Sequence, residues 1–420
     1  MRRCHKVPTR GVQIAPPRNG DGPLSPMTTP LQGTRVLDLT NVLAGPFACH
    51  QLAHLGAEVI KIENPRGGDL ARSLGASPAL SAKGMGISFL AQNAGKRSIT
   101  LNLKAEAGQV AFRRLVATAD VLVENFRPSV MDRLGLGYDA LKATNPALIY
   151  CAISGFGQDG PWAANPAYDQ IIQGASGVMS ITGTGAPTRV GYPLSDTVGG
   201  LTAAMAITAA LNASPRGTFI DVSMLEATLA TMGWIVSNHL IGGVTPQAHG
   251  NENPTSAPSG TFQAQDVPLN IAANKDAQWQ ALAPLLGRPD LLADARFTTR
   301  EDRKTNRHAL RAELETMLTA KPAAHWVETL NAHGIPAGPV LTVPQILAHP
   351  QVADRNLISR FDTPGVDIPV DVISTGFQLD GTRPSVPKPP PTLGQHTHDI
   401  LTELGYCEED IRRMTEEGAT

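Results

Sequence analysis

The sequence predicts an α/β fold built on a mostly parallel sheet, with a smaller second domain behind it. Three observations carry that prediction. From Gly33 to about residue 225, short apolar runs alternate with helical spacings, the mark of βαβ units. At "TPQAHGNENPTSAPSGTF" (245–262) the pattern breaks, and a charged helical region follows. The chain has 420 residues, enough for two domains and a large core.

The elements follow in order. Residues 1–28, "MRRCHKVPTRGVQIAPPRNGDGPLSPMT", are rich in Pro, Gly and Arg without apolar periodicity. They are expected to form a disordered extension, lacking the apolar core of a secretory signal. "RVLDLT" is a strand, "PFACHQLAHLG" a helix ending at Gly56, and "AEVIKIE" a second strand. "RSITLNL" is a strand, and "AEAGQVAFRRLVATA" an amphipathic helix with Phe112, Leu115 and Val116 on one side. "DVLVENF" and "ALIYCAI" are strands separated by the helical "PSVMDRLG" and "YDALKAT". "GGLTAAMAITAAL" reads as a buried helix. Beyond the polar stretch, "PLNIAAN" is a strand, and "DARFTTREDRKTNRHALRAELETMLTA" is helical. "HGIPAGPVLTVPQILAHP" returns the chain toward an extended form, and a proline-stiffened "PSVPKPPPTLGQHTHDILTELGY" ends in a short helix. Parallel sheets bind ligands at the carboxyl ends of their strands. The segments at those ends are "NVLAGP", "ENFRPS" and "SGFGQDG".

Composition excludes several classes. With 35 basic and 37 acidic residues the net charge is −2, which argues against a nucleic-acid partner. The four cysteines are far apart with no CxxC pair, the pattern of a reduced, cytoplasmic chain. No uninterrupted apolar run reaches the ~18 residues of a membrane span, so no membrane partner is expected. "GFGQDG" (155–160) matches G-x-G-x-x-G after a strand, but Pro161 and Trp162 follow where a dinucleotide fold needs a helix. His396 and His398 lack neighbours at metal-ligand spacing, and no metal is expected.

Carboxylates remain. Asp169 and Asp196 each precede an apolar helical segment. Asp196 could simply be an N-cap. The same geometry suits a nucleophile, because a carboxylate at a helix N-terminus with its ordinary pKa of ~3.9 is ionised at neutral pH. Gly199 and Gly200 would leave room for a substrate to approach.

Together the motifs "GTRVLDLTNVLAGPFACHQLAHLGAEVIKIENP", "GKRSITLNLK", "VLVENFRPSVMDRLGLGYDAL", "NPALIYCAISGFGQDGP", "YDQIIQGASGVMSITG", "YPLSDTVGG" and "LGQH" resemble the class III CoA transferases, from about Leu31 to about Leu401. The resemblance implies that Asp196 attacks an acyl-CoA thioester and carries a mixed anhydride and then an aspartyl-CoA thioester. Coenzyme A enters as substrate, not as a tightly bound cofactor. Its site would comprise Leu43, Ala44, Leu101, Asn102, Lys104, Asn125, Phe126, Arg127 and Arg133, with Asn64 where relatives often carry Arg. Tyr168 and Asp169 become an active-site wall or second acid. "NPTSAP", with Thr255, Ser256 and Ala257, stands where formate-specific members carry a glycine loop, and resembles the dicarboxylate branch. The implied architecture is a Rossmann-like large domain (29–225 plus 336–420) and a smaller α+β domain (226–335), in an interlocked, ring-like homodimer. α-Methylacyl-CoA racemases share this fold but need a His/Asp pair, and no histidine lies between residues 55 and 238. A non-catalytic CoA-binding protein is the other alternative, and it would dispense with Asp196.

Overall fold

A computed structural model describes residues 29–420; the extension expected at 1–28 lies outside the described residues. Six strands form one parallel sheet: β1 Arg35–Asp38, β2 Glu58–Glu63, β3 Lys96–Thr100, β4 Val121–Glu124, β5 Ile149–Ser154 and β6 Thr218–Ser223. Their order is β3-β2-β1-β4-β5-β6. The chain works outward from β1 to β3, then recrosses to β4, so the strand order reverses between β1 and β4. That reversal opens a crevice at the carboxyl ends of both strands.

Alternate residues of each strand face opposite sides of the sheet. Val36, Val121, Val123, Ile149 and Cys151 pack on one side, against helices α1 (Ala44–His54) and α5 (Leu194–Leu211). Leu37, Leu122 and Tyr150 pack on the other. There they meet α2 (Glu106–Ala117) and two helices from the far end of the chain, α11 (Thr397–Glu403) and α12 (Glu408–Glu416), which bury Ile400, Leu401, Ile411 and Met414. Shorter helices lie between: α3 (Val130–Arg133), α4 (Asp169–Ala175), α6 (Met224–Thr231) and α7 (Gly233–Gly242).

A second core is separate. Strands β7 (Ser259–Gln263), β8 (Pro268–Ala272) and β9 (Ala337–Pro339) pair antiparallel. Phe262, Leu269 and Ile271 pack on Trp279, Leu314 and Leu330 of α8 (Asp276–Leu285), α9 (Arg307–Leu318) and α10 (Ala323–Ala332). The hairpin β10 (Ile358–Phe361) and β11 (Val370–Ile373) then returns Val370 and Val372 to the first core.

Some elements differ from the sequence reading. The sequence reading has no strand at β6: it is an edge strand, exposed at Thr218, Phe219 and Asp221, half-buried at Ile220 and buried only at Val222 and Ser223. Strand β7 emerges from the end of the polar stretch. The stretch 337–353 is not wholly extended, because Val343–Leu347 and Pro350–Ala353 coil into short helices with a proline among their first two residues. Helix α5 is not buried all round. It packs on α1 and α6 through Gly199, Gly200 and Ala203, while Leu201 and Met205 are exposed. By length and composition alone it would pass as a membrane span, as core helices also do, and it packs Ala203, Ala204 and Ile207 into the first core.

Candidate active site at the strand ends

The crevice holds a cavity of about 360 Å³. It is lined by Asn41–Ala44 after β1, Asn125–Pro128 after β4, and Ser154 and Gly155 at the end of β5. These are the three segments anticipated from the parallel-sheet rule. Asp196 closes the cavity, with Tyr168 and Met224 beside it. A second cavity of about 330 Å³ lies across Asn41 and Phe126, which line both. Leu101, Asn102, Lys104, Asn64 and Asp69 line this second space.

Asp196 is the third residue of α5, with Pro193 in the cap position. It is therefore not the N-cap. Asp169 does the capping from a distance: its Oδ1 accepts the Ser195 N–H at 2.8 Å and the Asp196 N–H at 3.4 Å. Gln173 Nε2 donates to Asp169 Oδ2 at 2.8 Å, and Arg189 stands 3.6 Å from the same oxygen. A buried acceptor with charged and amide partners satisfies the free N–H groups of the helix start. It also sets a negative charge beside Asp196. Burial first, and Asp169 second, push the Asp196 carboxyl up to about 7. The ordinary carboxylate pKa expected from the sequence is thus overturned by desolvation and a like charge. Gly199 and Gly200 are also not a substrate gap. A Cβ on Gly200 would stand 2.5 Å from the Ala44 carbonyl oxygen, and one on Gly199 would stand 3.0 Å from Met224. They let α5 press against α1 and α6.

The structure divides the anticipated CoA contacts. Leu43, Ala44, Phe126 and Arg127 line the Asp196 cavity, and Arg127 is the one cation among its lining residues. Asn125 lines it too, but its amide is engaged by the β1–α1 loop: Oδ1 accepts the Asn41 N–H and Nδ2 donates to the Asn41 carbonyl, both at 2.8 Å. Leu101, Asn102 and exposed Lys104 line the second cavity. Arg133 is exposed on α3, between Val130 and Leu134, which line that cavity without it. Within the single chain, Thr255, Ser256 and Ala257 do not meet Asp196. Thr255 lines a separate cavity of about 490 Å³ with Ile181 and His249, while Ser256 and Ala257 are buried. The Ala257 carbonyl accepts from Arg303. These contacts fix the loop to the smaller core.

Sequence reasoning missed a buried charge cluster beneath the cavities. Lys61 Nζ lies 2.9 Å from Asp69 Oδ2 and donates to the Thr40 carbonyl at 2.9 Å. Lys96 Nζ pairs with Asp38 at 2.8 Å. Burial alone would raise Asp38, but Lys61 and Lys96 outweigh it and hold the carboxyl well below the usual range. The signal was present as a lysine inside the apolar strand "EVIKIE". Asn165 and Met224, also at the cavity wall, gave no signal at all.

Comparison with known proteins fits this geometry. The acetyl-CoA:oxalate CoA-transferase of Acetobacter aceti is 44% identical over 366 residues, 86% of this chain and 92% of its own. The succinate–glutarate CoA-transferase of Agrobacterium fabrum is 37% identical, covering 90% and 96%. The succinyl-CoA:mesaconate CoA-transferase of Haloarcula marismortui is 36% identical, covering 89% and 96%. The crystal structure of a CAIB/BAIF family protein from Brucella suis superposes with a TM-score of 0.78 at 36% identity, over 90% of this chain and all of that one. The model of the family described as CoA-transferase family III matches residues 31–397. A chain matched over that length, at those identities, with its cavity at the sheet's strand-order reversal, belongs to CoA-transferase family III and is a CoA-transferring enzyme.

Proposed function

We propose that this enzyme moves CoA from an acyl-CoA to a free dicarboxylic acid, with Asp196 as the covalent nucleophile. The observation that carries the reading is the position of Asp196. It is the one carboxylate among the residues lining the strand-end cavity, and among the described residues its carboxylate has no hydrogen-bond partner. A nucleophile must be free to attack. A pKa near 7 leaves a large ionised fraction at neutral pH and a more basic oxygen than an ordinary aspartate.

The steps balance as follows. An Asp196 oxygen attacks the thioester carbonyl carbon, the C–S bond breaks, and CoA thiolate leaves behind a mixed anhydride. The thiolate attacks Asp196 Cγ and expels the donor acid as its carboxylate, leaving an aspartyl-CoA thioester. The acceptor carboxylate attacks that carbonyl, and thiolate leaves again. Thiolate then attacks the acceptor's carbonyl carbon, forming the new acyl-CoA and freeing Asp196. The first N–H groups of α1, which starts without a side-chain cap, are candidates for the oxyanion at each stage. Lys104 at the second cavity, with exposed Arg133 on the neighbouring turn of α3, suits CoA phosphates. Arg127 suits the second carboxylate of a diacid, the class named in the relatives acting on oxalate, glutarate and mesaconate. A racemase reading lacks its histidine: none is among the cavity's lining residues.

We propose further that the working unit is a homodimer. Helix α7 buries none of its residues within the chain, and Trp234, Leu240 and Ile241 are 65%, 75% and 87% exposed. A second copy would cover them and could bring its Thr255–Ala257 loop to Asp196.

The test is direct. Protein incubated with succinyl-CoA, then quenched and digested, should yield a CoA-dependent adduct on the peptide containing Asp196, and none in Asp196→Asn. Crossing a panel of CoA esters with free acids should show transfer to diacids above monoacids. An adduct on another residue, or hydrolysis without transfer, would sink the reading.

A further inference from the structure

We propose that Asp69 is a positioning residue for CoA binding, holding Val42 in a left-handed backbone conformation that shapes the wall between the two cavities. The inference rests on the reading that these cavities take CoA. Val42 has φ +66 and is the one β-branched residue among the four non-glycine residues with positive φ described in the chain. A Cβ-branched side chain disfavours that region strongly, so the conformation persists only where its surroundings impose it. The surroundings do. The Val42 N–H donates to Asp69 Oδ1 at 2.9 Å. On the other side, Asn125 grips the preceding Asn41 through both its N–H and its carbonyl.

Asp69 is itself fixed from every direction. Oδ1 also accepts the Ala71 N–H, Oδ2 meets Lys61 Nζ at 2.9 Å, and the Asp69 backbone N–H donates to Glu63 Oε2 at 3.0 Å. Asp69 borders the second cavity, but its side chain and that of Lys61 are fully buried and its carboxylate oxygens are taken by Val42, Ala71 and Lys61, so it acts through Val42. What it controls is exposed to ligand. Val42, Leu43 and Ala44 line the Asp196 cavity, and Leu43 carries no side-chain cap of its own for α1. Without Asp69, relaxation of Val42 toward negative φ would turn the 42–43 peptide. Leu43 and the start of α1 would move with it.

A glycine takes positive φ freely, which gives a selective test. In the full chain, Asp69→Ala should weaken binding of CoA itself by roughly tenfold or more, the scale of losing a hydrogen bond to a charged acceptor. It should also speed hydrogen exchange at residues 42–44 while sparing α9. In a Val42→Gly background the same Asp69→Ala change should cost no more than about threefold and add little exchange, because the strain it restrained is gone. Asp69→Asn keeps an acceptor for Val42 but turns its amide N–H toward buried Lys61, so its loss of affinity too should shrink in the Val42→Gly background. If Asp69→Ala fails to fold, Asp69→Ser serves in the same cycle. Equal losses in the Val42 and V42G backgrounds would overturn the proposal and leave Asp69 as a plain stability residue. Wild-type protein that does not bind CoA would instead refute the functional reading, and the exchange comparison would still decide the clamp.

Discussion

At the residue scale, Asp196 combines a raised pKa with an accessible carboxylate, and both consequences can be measured. Asp196→Asn should lower transfer by at least ~10³-fold, as loss of a covalent nucleophile does, while CoA still binds. It should also stabilise the fold. A carboxyl whose folded pKa is raised is costly once ionised, so this penalty grows as pH rises from about 4 to about 7 and is absent in the amide. A gain on the order of 2 kcal/mol in denaturant unfolding at pH 8 is expected. Activity of the wild type should rise with pH through a limb near 7. Asp169→Asn keeps an acceptor for the Ser195 N–H but removes the neighbouring charge, so the limb should move to lower pH. An unmoved limb in a folded Asp169→Asn protein would separate the two acids. The sequence pointed to Asp196 through "YPLSDTVGG" and to the cavity through the three strand-end segments. It could not give the environment, because the burial that raises Asp196 comes only with the assembled fold, and the acid that caps α5 and adds to the rise lies 27 positions away. Asn125 was likewise legible as part of the strand-end segment "ENFRPS" that lines the cavity, while its engagement with Asn41, 84 positions distant, was not.

At the element scale, α1 connects the site to the body of the sheet. His50 and His54 pack against each other within it, with ring centroids 4.3 Å apart and planes tilted by 49°. Both are buried, and neither His54 nitrogen has a hydrogen-bond partner among the described residues. Burial lowers His54 to about 4 and His50 well below its usual value. Their unfolded pKa is near 6.5, so the unfolded chain binds these protons first. Their contribution is fully present above pH 6.5 and is lost as pH falls toward 4. His54→Leu should flatten that acid limb by about 3 kcal/mol in unfolding measurements, and a limb of unchanged slope would show that His54 is not its source. The face of α1 toward α5 is equally exacting. Gly200→Ala would press a methyl group onto the Ala44 carbonyl, a backbone atom that cannot step aside. A loss of ~1–3 kcal/mol in stability is expected, with weaker CoA binding because Ala44 begins α1 at the cavity. Strands β1, β2, β4 and β5 were legible because their apolar runs are buried inside the sheet. Edge strand β6, half of it in solvent, carries no such run.

At the scale of the whole molecule, exposed apolar α7 and the distance of the Thr255–Ala257 loop from its own Asp196 lead to one expectation. Sedimentation should give a dimer across a wide range of concentrations, with no folded monomer at the lowest. Trp234→Glu together with Ile241→Glu should impair assembly and activity together. An active, compact monomer would remove the homodimer and the shared site with it. The two cores were legible as a change of pattern near residue 245. The destination of the loop at 255–257 was not, because a sequence position does not say which core its neighbours will hold. Another consequence follows from α11 and α12, which cover the Leu37–Leu122–Tyr150 face of the sheet. The ribosome makes that face early and its cover last, with everything from Gly155 to His396 in between. At ordinary elongation rates the delay is on the order of tens of seconds. During synthesis, then, that side of the nascent sheet stands covered by α2 but not yet by α11 and α12, and a chaperone resting on the uncovered part would have to yield to those two helices.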